Sequence, residues 1–152
     1  MEEFTNPKSD VAAKKAFKKR LEELDYENVQ IKGSPADIIA EKNGETYYFE
    51  IKMTKQSEVY FGAATLTEWM AAFLYPNNFK FVIAKTDVLE NDFEFIEYTP
   101  EEFMEHSTIP PFKIYFTVNL DGETKARKRR SAIPLTKETL ELLTLLHKQM
   151  RE

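Results

Sequence analysis

Asp37, Glu50 and Lys52 are residues whose types and spacing could together do chemistry. Carboxylates a few ångströms apart can share a divalent cation. A lysine beside them can orient or deprotonate a water, or stabilise charge developing on a phosphate. Whether the three meet depends on the segment between them. Asn43-Gly44 separates two apolar runs, a strong hairpin signal because both residues tolerate the positive φ that the tightest turn requires. A two-residue turn there sets Ala40 opposite Tyr47, Ile39 opposite Tyr48, Ile38 opposite Phe49 and Asp37 opposite Glu50. Alternation then puts Asp37, Ile39 and Glu41 on one face with Tyr48, Glu50 and Lys52. Ala36, Ile38, Ala40, Tyr47, Phe49, Ile51 and Met53 take the other face, which is the core side.

Opposed side chains in such a pair have Cβ atoms about 5 Å apart, and two negative charges at that distance repel by roughly 3 kcal/mol at an effective dielectric near 20. Neither acid favours a strand, so stability alone does not account for the pairing. A divalent cation between them resolves the conflict, and hard oxygen donors open to solvent suit Mg²⁺ or Mn²⁺. The bland reading is that Asp37 is a turn residue after Gly33-Ser-Pro-Ala, with Glu50 and Lys52 an exposed charged pair. Against it stands the setting of Glu50-Ile-Lys in an otherwise apolar strand, Tyr-Tyr-Phe-Glu-Ile-Lys-Met.

The remaining chain supplies elements to hold these residues. Ser9 is placed to cap a first helix over 9–24, with Ala13, Phe17, Leu21 and Leu24 on one stripe. Strands are expected at 26–31, 37–42 and 45–53. Thr65 and Glu68 form a capping box before Trp69, so a second helix runs over 65–75 and stops at Pro76. Further strands fall at 79–84 and 93–98, and Thr99 opens a short helix. The stretch 112–120 alternates like a strand and is turned by Asp121-Gly122. Thr136 caps a last helix whose leucines spread too widely for one narrow stripe, which predicts burial on two sides, either within the domain or against a second subunit. This order predicts an α/β (α+β) domain with a mixed sheet.

At these residues the chain resembles the PD-(D/E)XK nuclease superfamily, the restriction-endonuclease-like fold. The carriers are Ser34-Pro35-Ala36-Asp37 at the start of one strand and Glu50-Ile51-Lys52 on the next. The layout around them is similar to archaeal Holliday-junction resolvases and Mrr-like restriction domains. The resemblance covers about 9–85, with 86–152 a C-terminal elaboration of a single domain. It implies a mixed central sheet flanked by helices, in the order αβββαβ. It also implies Mg²⁺ or Mn²⁺ bound by Asp37, Glu50 and the backbone carbonyl of Ile51, with Lys52 serving the nucleophilic water. The activity implied is metal-dependent phosphodiester hydrolysis, with DNA as substrate. Many relatives add a first-helix glutamate near the metal; here that helix carries Lys14 and Lys15 at its middle, and Glu22 and Glu23 come late. The alternative is a catalytically silent nucleic-acid-binding or accessory subunit of the same fold.

Composition bounds these readings. The chain has 152 residues, 42% hydrophobic and 31% charged, which suits one folded core and excludes global disorder. It has no cysteine and two histidines, which excludes disulfide scaffolds and thiolate sites. No apolar run approaches the roughly twenty residues of a membrane span, and no secretory signal is read, so the expectation is a cytoplasmic protein with no membrane partner. The net charge of −5 conceals segregation: eight acids and no base lie between Asp87 and Glu105. Lys125, Arg127, Lys128, Arg129 and Arg130 form a basic run that, with Lys55, could contact a nucleic-acid backbone. A solvated surface explains such runs equally well. Tyr60 and Phe61 are expected to pack at a loop end, and His106 and His147 are given no role. A homodimer and a larger protein assembly are both open as partners.

Overall fold

In the computed structural model, which describes residues 7–56, 58–89, 92–121 and 132–150, Pro7 rather than Ser9 starts the first helix, α1 (Pro7–Glu23). Proline suits a first helical position because its missing N–H would have no partner there and its φ is already helical. The C-terminus of α1 closes on a Schellman motif. The Tyr26 N–H donates to the Leu21 carbonyl at 3.0 Å and the Asp25 N–H to the Glu22 carbonyl at 3.2 Å. Asp25 takes the left-handed conformation this requires, at φ 69°. Glycine adopts that conformation without steric cost, so Asp25→Gly is expected to stabilise the domain by about 0.5–1 kcal/mol in a denaturant melt.

The chain divides into two compact units, Met1–Ser107 and Thr108–Glu152. In the first, α1 is followed by β1 (Glu27–Ile31), β2 (Ile38–Lys42), β3 (Glu45–Thr54), α2 (Leu66–Leu74), β4 (Phe79–Thr86), β5 (Phe93–Tyr98) and α3 (Pro100–Glu105). The strands form one mixed sheet in sequential order, antiparallel except where β3 runs parallel to β4. The fold is thus α+β, and the expected αβββαβ order is present. A parallel pair needs a crossover, and α2 supplies it.

The hairpin has the register expected from its turn, with Ile38 opposite Phe49, Ile39 opposite Tyr48 and Ala40 opposite Tyr47. Asn43 (φ 53°) and Gly44 (φ 79°) both take positive φ, as a type I′ turn demands. Alternation along the strands builds two cores. On one face, Ile38, Ala40, Phe49, Ile51, Val82 and Ala84 pack with Ala13, Phe17 and Leu21 of α1. Phe17 is fully buried and meets Phe49 and Phe95 edge-on, with ring centroids 5.2 and 5.0 Å apart. On the other face, Phe79 and Phe81 pack with Ala72 and Trp69 of α2 and Phe103 of α3. Ala36 belongs to this second cluster, not to the Ile38 face expected for it. It precedes β2, so the two-residue alternation of the strand does not extend back to it.

In the second unit, Thr136 caps α4 (Lys137–Met150) as expected, accepting the Thr139 N–H at 3.1 Å. Leu140, Leu142 and Leu145 of this helix are exposed. The strand expected over 112–120 does not form, and residues 108–119 have no regular structure. Alternation decides which face a side chain takes, but a strand also needs a neighbour for its N–H and carbonyl groups. The described residues of this unit hold no other strand. Among the described residues, no helix is long and apolar enough to cross a membrane.

Candidate active site

The β2–β3 ladder ends at Ile38–Phe49, and Asp37 sits one residue beyond it. Its backbone stays tied to the sheet edge, because its carbonyl accepts the Lys32 N–H at 2.7 Å. Its side chain takes over where the ladder stops: Oδ2 accepts the Ile51 N–H at 2.9 Å. The direction of that N–H follows from strand geometry. The Tyr48 N–H donates to the Asn78 carbonyl at the start of β4, so alternation turns the N–H and carbonyl of Ile51 the other way, toward β2. Asp37 therefore lies beside the Ile51 backbone.

Glu50 and Lys52 project from the opposite face of β3 to Phe49 and Ile51. Glu50 is 8% exposed, which is rare for a carboxylate without a cation of its own. Burial, then the negative charges of Asp37 and Glu68, then a hydrogen bond with Asp37 push its pKa up to about 8, while Lys52 pulls the other way. Two acids thus crowd one site, although Asp37 lies beyond the ladder and is not paired opposite Glu50 in the register.

Three further residues complete the cluster, and none was assigned there from sequence. Lys14 of α1 stands 3.4 Å from Asp37 Oδ1 and 2.9 Å from Asp10 Oδ2. Glu68 of α2 receives the Lys52 ammonium on both oxygens, at 2.6 and 3.0 Å. The capping box was legible, but its glutamate has a second task that depends on how the β3–α2 crossover folds back. The Asp10–Lys14 spacing suggests an ordinary pair within one helix turn. Its approach to Asp37 depends on tertiary packing.

Lys55 lies on the exposed segment after β3, in a shallow cleft also lined by Lys85, Thr86, Asp87 and Phe93. A second cleft is lined by Tyr48, stacked on Tyr75 at 4.2 Å between centroids, together with Glu45 and Asn78. Neither cleft is lined by Asp37, Glu50 or Lys52. Lys125, Arg127, Lys128, Arg129 and Arg130 lie outside the described residues. Phe61, expected to pack, is 90% exposed, because the segment joining β3 to α2 has no regular structure and leaves its ring off the core. His106 lies edge-on to Tyr98, and His147 is exposed on α4.

Among the described residues, no three His, Cys, Asp or Glu side chains are gathered to hold a metal ion. The oxygen donors that could serve an ion here are the Asp37 and Glu50 carboxylates, beside the Ile51 backbone. They fit Mg²⁺ or Mn²⁺, which bind through one or two carboxylates and retain water on their other positions. The crowding that raises the Glu50 pKa supports the same fit, since a cation would relieve it.

Residues 10–96 match the family described as Protein NO VEIN, C-terminal. No curated protein and no solved structure matches the chain. The matched stretch takes in more than half of the chain, from α1 into β5, and includes every residue of the carboxylate–lysine cluster; the chain belongs to the NO VEIN C-terminal family.

Proposed function

We propose that this protein is a metal-dependent phosphodiester hydrolase acting on DNA, of the PD-(D/E)XK type. The observation that carries the reading is Glu50: a carboxylate 8% exposed, set against Asp37, on a strand that places Lys52 two residues further along the same face. A sequence selected for stability alone would replace it, because burying one carboxylate beside another costs free energy.

In this reading Asp37, Glu50 and the Ile51 carbonyl hold Mg²⁺ or Mn²⁺. When bound, such an ion polarises a phosphate oxygen and acidifies water. The protein's own contribution is placement. The bond from Ile51 N–H fixes the Asp37 carboxylate to the β3 backbone, so the two acids cannot drift apart. Lys52, ion-paired to Glu68, is an ammonium with no lone pair to take a proton. It therefore serves as a donor to a phosphate oxygen or to the attacking water rather than as the base. In the hydrolysis, the water oxygen forms a new P–O bond and the P–O bond to one sugar oxygen breaks. The water gives a proton to solvent, and the departing oxygen takes one up. The basic run at 125–130 and Lys55 would add salt-dependent, sequence-blind affinity for the backbone.

The second reading is a silent binding or accessory subunit. It is favoured by the internal pairing of the cluster, in which Lys14 stands on Asp37 and Lys52 on Glu68. Cleavage of plasmid and branched DNA with Mg²⁺ or Mn²⁺ decides between them. Wild type is expected to cut, and Asp37→Ala and Lys52→Ala to lose at least about 100-fold in rate. Cleavage unchanged in both variants removes the site. Binding by the wild type without cleavage establishes the accessory role.

A further inference from the structure

Lys52 would be a poor instrument if left to itself. Its ammonium rides on a four-carbon stem whose rotamer freedom amounts to about 2 kcal/mol, so an unrestrained lysine spends little time in any one place. In this fold it is restrained. Both oxygens of Glu68 receive Nζ, at 2.6 and 3.0 Å, and the two side chains are only 17% and 15% exposed. Water therefore competes weakly for either partner.

The holder is itself held, and by something other than the lysine. Glu68 occupies the first turn of α2, where its N–H donates to Thr65 Oγ1 at 3.2 Å and its Oε2 accepts the Thr65 N–H at 3.4 Å. That reciprocal pair ties the carboxylate to the start of the helix. The helix is seated on the sheet through Trp69, whose ring centroid is 4.8 Å from that of Phe81, the residue opposite Glu50 on β4. A chain of fixed contacts thus runs from the sheet to Trp69, to its sequence neighbour Glu68, and back to Lys52 on the neighbouring strand. Both oxygens of one carboxylate thus hold the Lys52 ammonium.

We propose that Glu68 is a positioning residue: it sets where the Lys52 ammonium stands beside Asp37 and Glu50, and so couples the start of α2 to the reacting centre. This rests on the hydrolase reading above.

Glu68→Gln tests it. Glutamine preserves the capping box while removing the charge and one of the two acceptors offered to Lys52. The variant is expected to melt within a few degrees of wild type and to keep KM for DNA within about twofold. Its kcat should fall at least about tenfold. Glu68→Asp, which keeps the charge on a shorter arm, should recover part of kcat despite a weaker cap. In the protein without metal, ¹⁵N spectra of the lysine Nζ groups should show a Lys52 ammonium protected from exchange in wild type and averaged in Glu68→Gln.

The inference is overturned if Glu68→Gln cleaves at the wild-type rate, or if its loss of rate only tracks a loss of folded protein. It is also overturned if a Mn²⁺ titration shows that the variant has lost affinity for the ion, which would make Glu68 a ligand. Wild-type protein that cuts no DNA overturns the hydrolase reading and this role together, whereas wild type that cuts alongside an unimpaired Glu68→Gln overturns only the role.

Discussion

Glu50→Gln is expected to make the metal-free protein more stable and at the same time to abolish cleavage. Glutamine has nearly the shape of a protonated glutamate, and its amide can give Asp37 the hydrogen bond that protonated Glu50 gives. What it lacks is the ability to ionise in a buried site next to another acid. The folded pKa of Glu50 is about 8 against an ordinary value of 4.5. A group raised in this way binds more protons folded than unfolded, so wild-type stability falls as pH rises from the lower value to the higher one. Below pH 4.5 the two proteins should be close in stability. By pH 7 the variant should lead by on the order of 3 kcal/mol, a large share of a typical domain's 5–15 kcal/mol. Denaturant melts of both proteins at pH 5 and pH 8 measure the gap. A gap that stays constant between those pH values, or a variant less stable at pH 8, refutes the account of Glu50. Cleavage by the variant should be lost by at least about 100-fold, since a neutral amide is a poor partner for a divalent ion.

The second large effect is the response to the ion itself. If Asp37 and Glu50 hold Mg²⁺ or Mn²⁺, either ion at about 100 times its Kd stabilises the folded chain by about 2.7 kcal/mol, which raises Tm by roughly 5–10 °C. The effect should be larger at pH 8 than at pH 5. At the lower pH Glu50 is protonated and must surrender its proton before it can bind, which weakens apparent affinity. The ion should therefore cancel much of the metal-free protein's loss of stability at high pH. Calorimetric melts with EDTA, Mg²⁺ and Mn²⁺ provide the test, and Glu50→Gln should show little response to either ion. Equal shifts in wild type and Glu50→Gln would place the ion somewhere other than this pair of acids.

Much of the candidate site was legible in the sequence because it depends on local rules. The Asn43-Gly44 turn sets the register and the register sets the faces, which puts Glu50 and Lys52 together on one side of β3. Asp37, one residue beyond the ladder, is held there by the Ile51 N–H. The second helix was legible for the same reason, since Thr65 and Glu68 are three residues apart and their contact is local. What escaped was long-range. Lys14 reaches Asp37, and Glu68 reaches Lys52, only after α1 and α2 have docked on opposite faces of the sheet. The segment 112–120 failed in the converse way, since its pattern was suitable and no partner strand for it is present among the described residues. Ala36 marks another limit, as a strand's periodicity carries no information beyond the end of that strand.

The bond from Ile51 N–H to Asp37 has a consequence for how the family could drift. Asp37 finishes a rung that the β2 backbone leaves undone, so its loss strands a buried amide even in a lineage that no longer cuts anything. Glu50 has no such tenure, because the metal-free fold is better off without its charge. Under the hydrolase proposal, a descendant released from catalysis should therefore shed the glutamate early and retain the aspartate long afterwards.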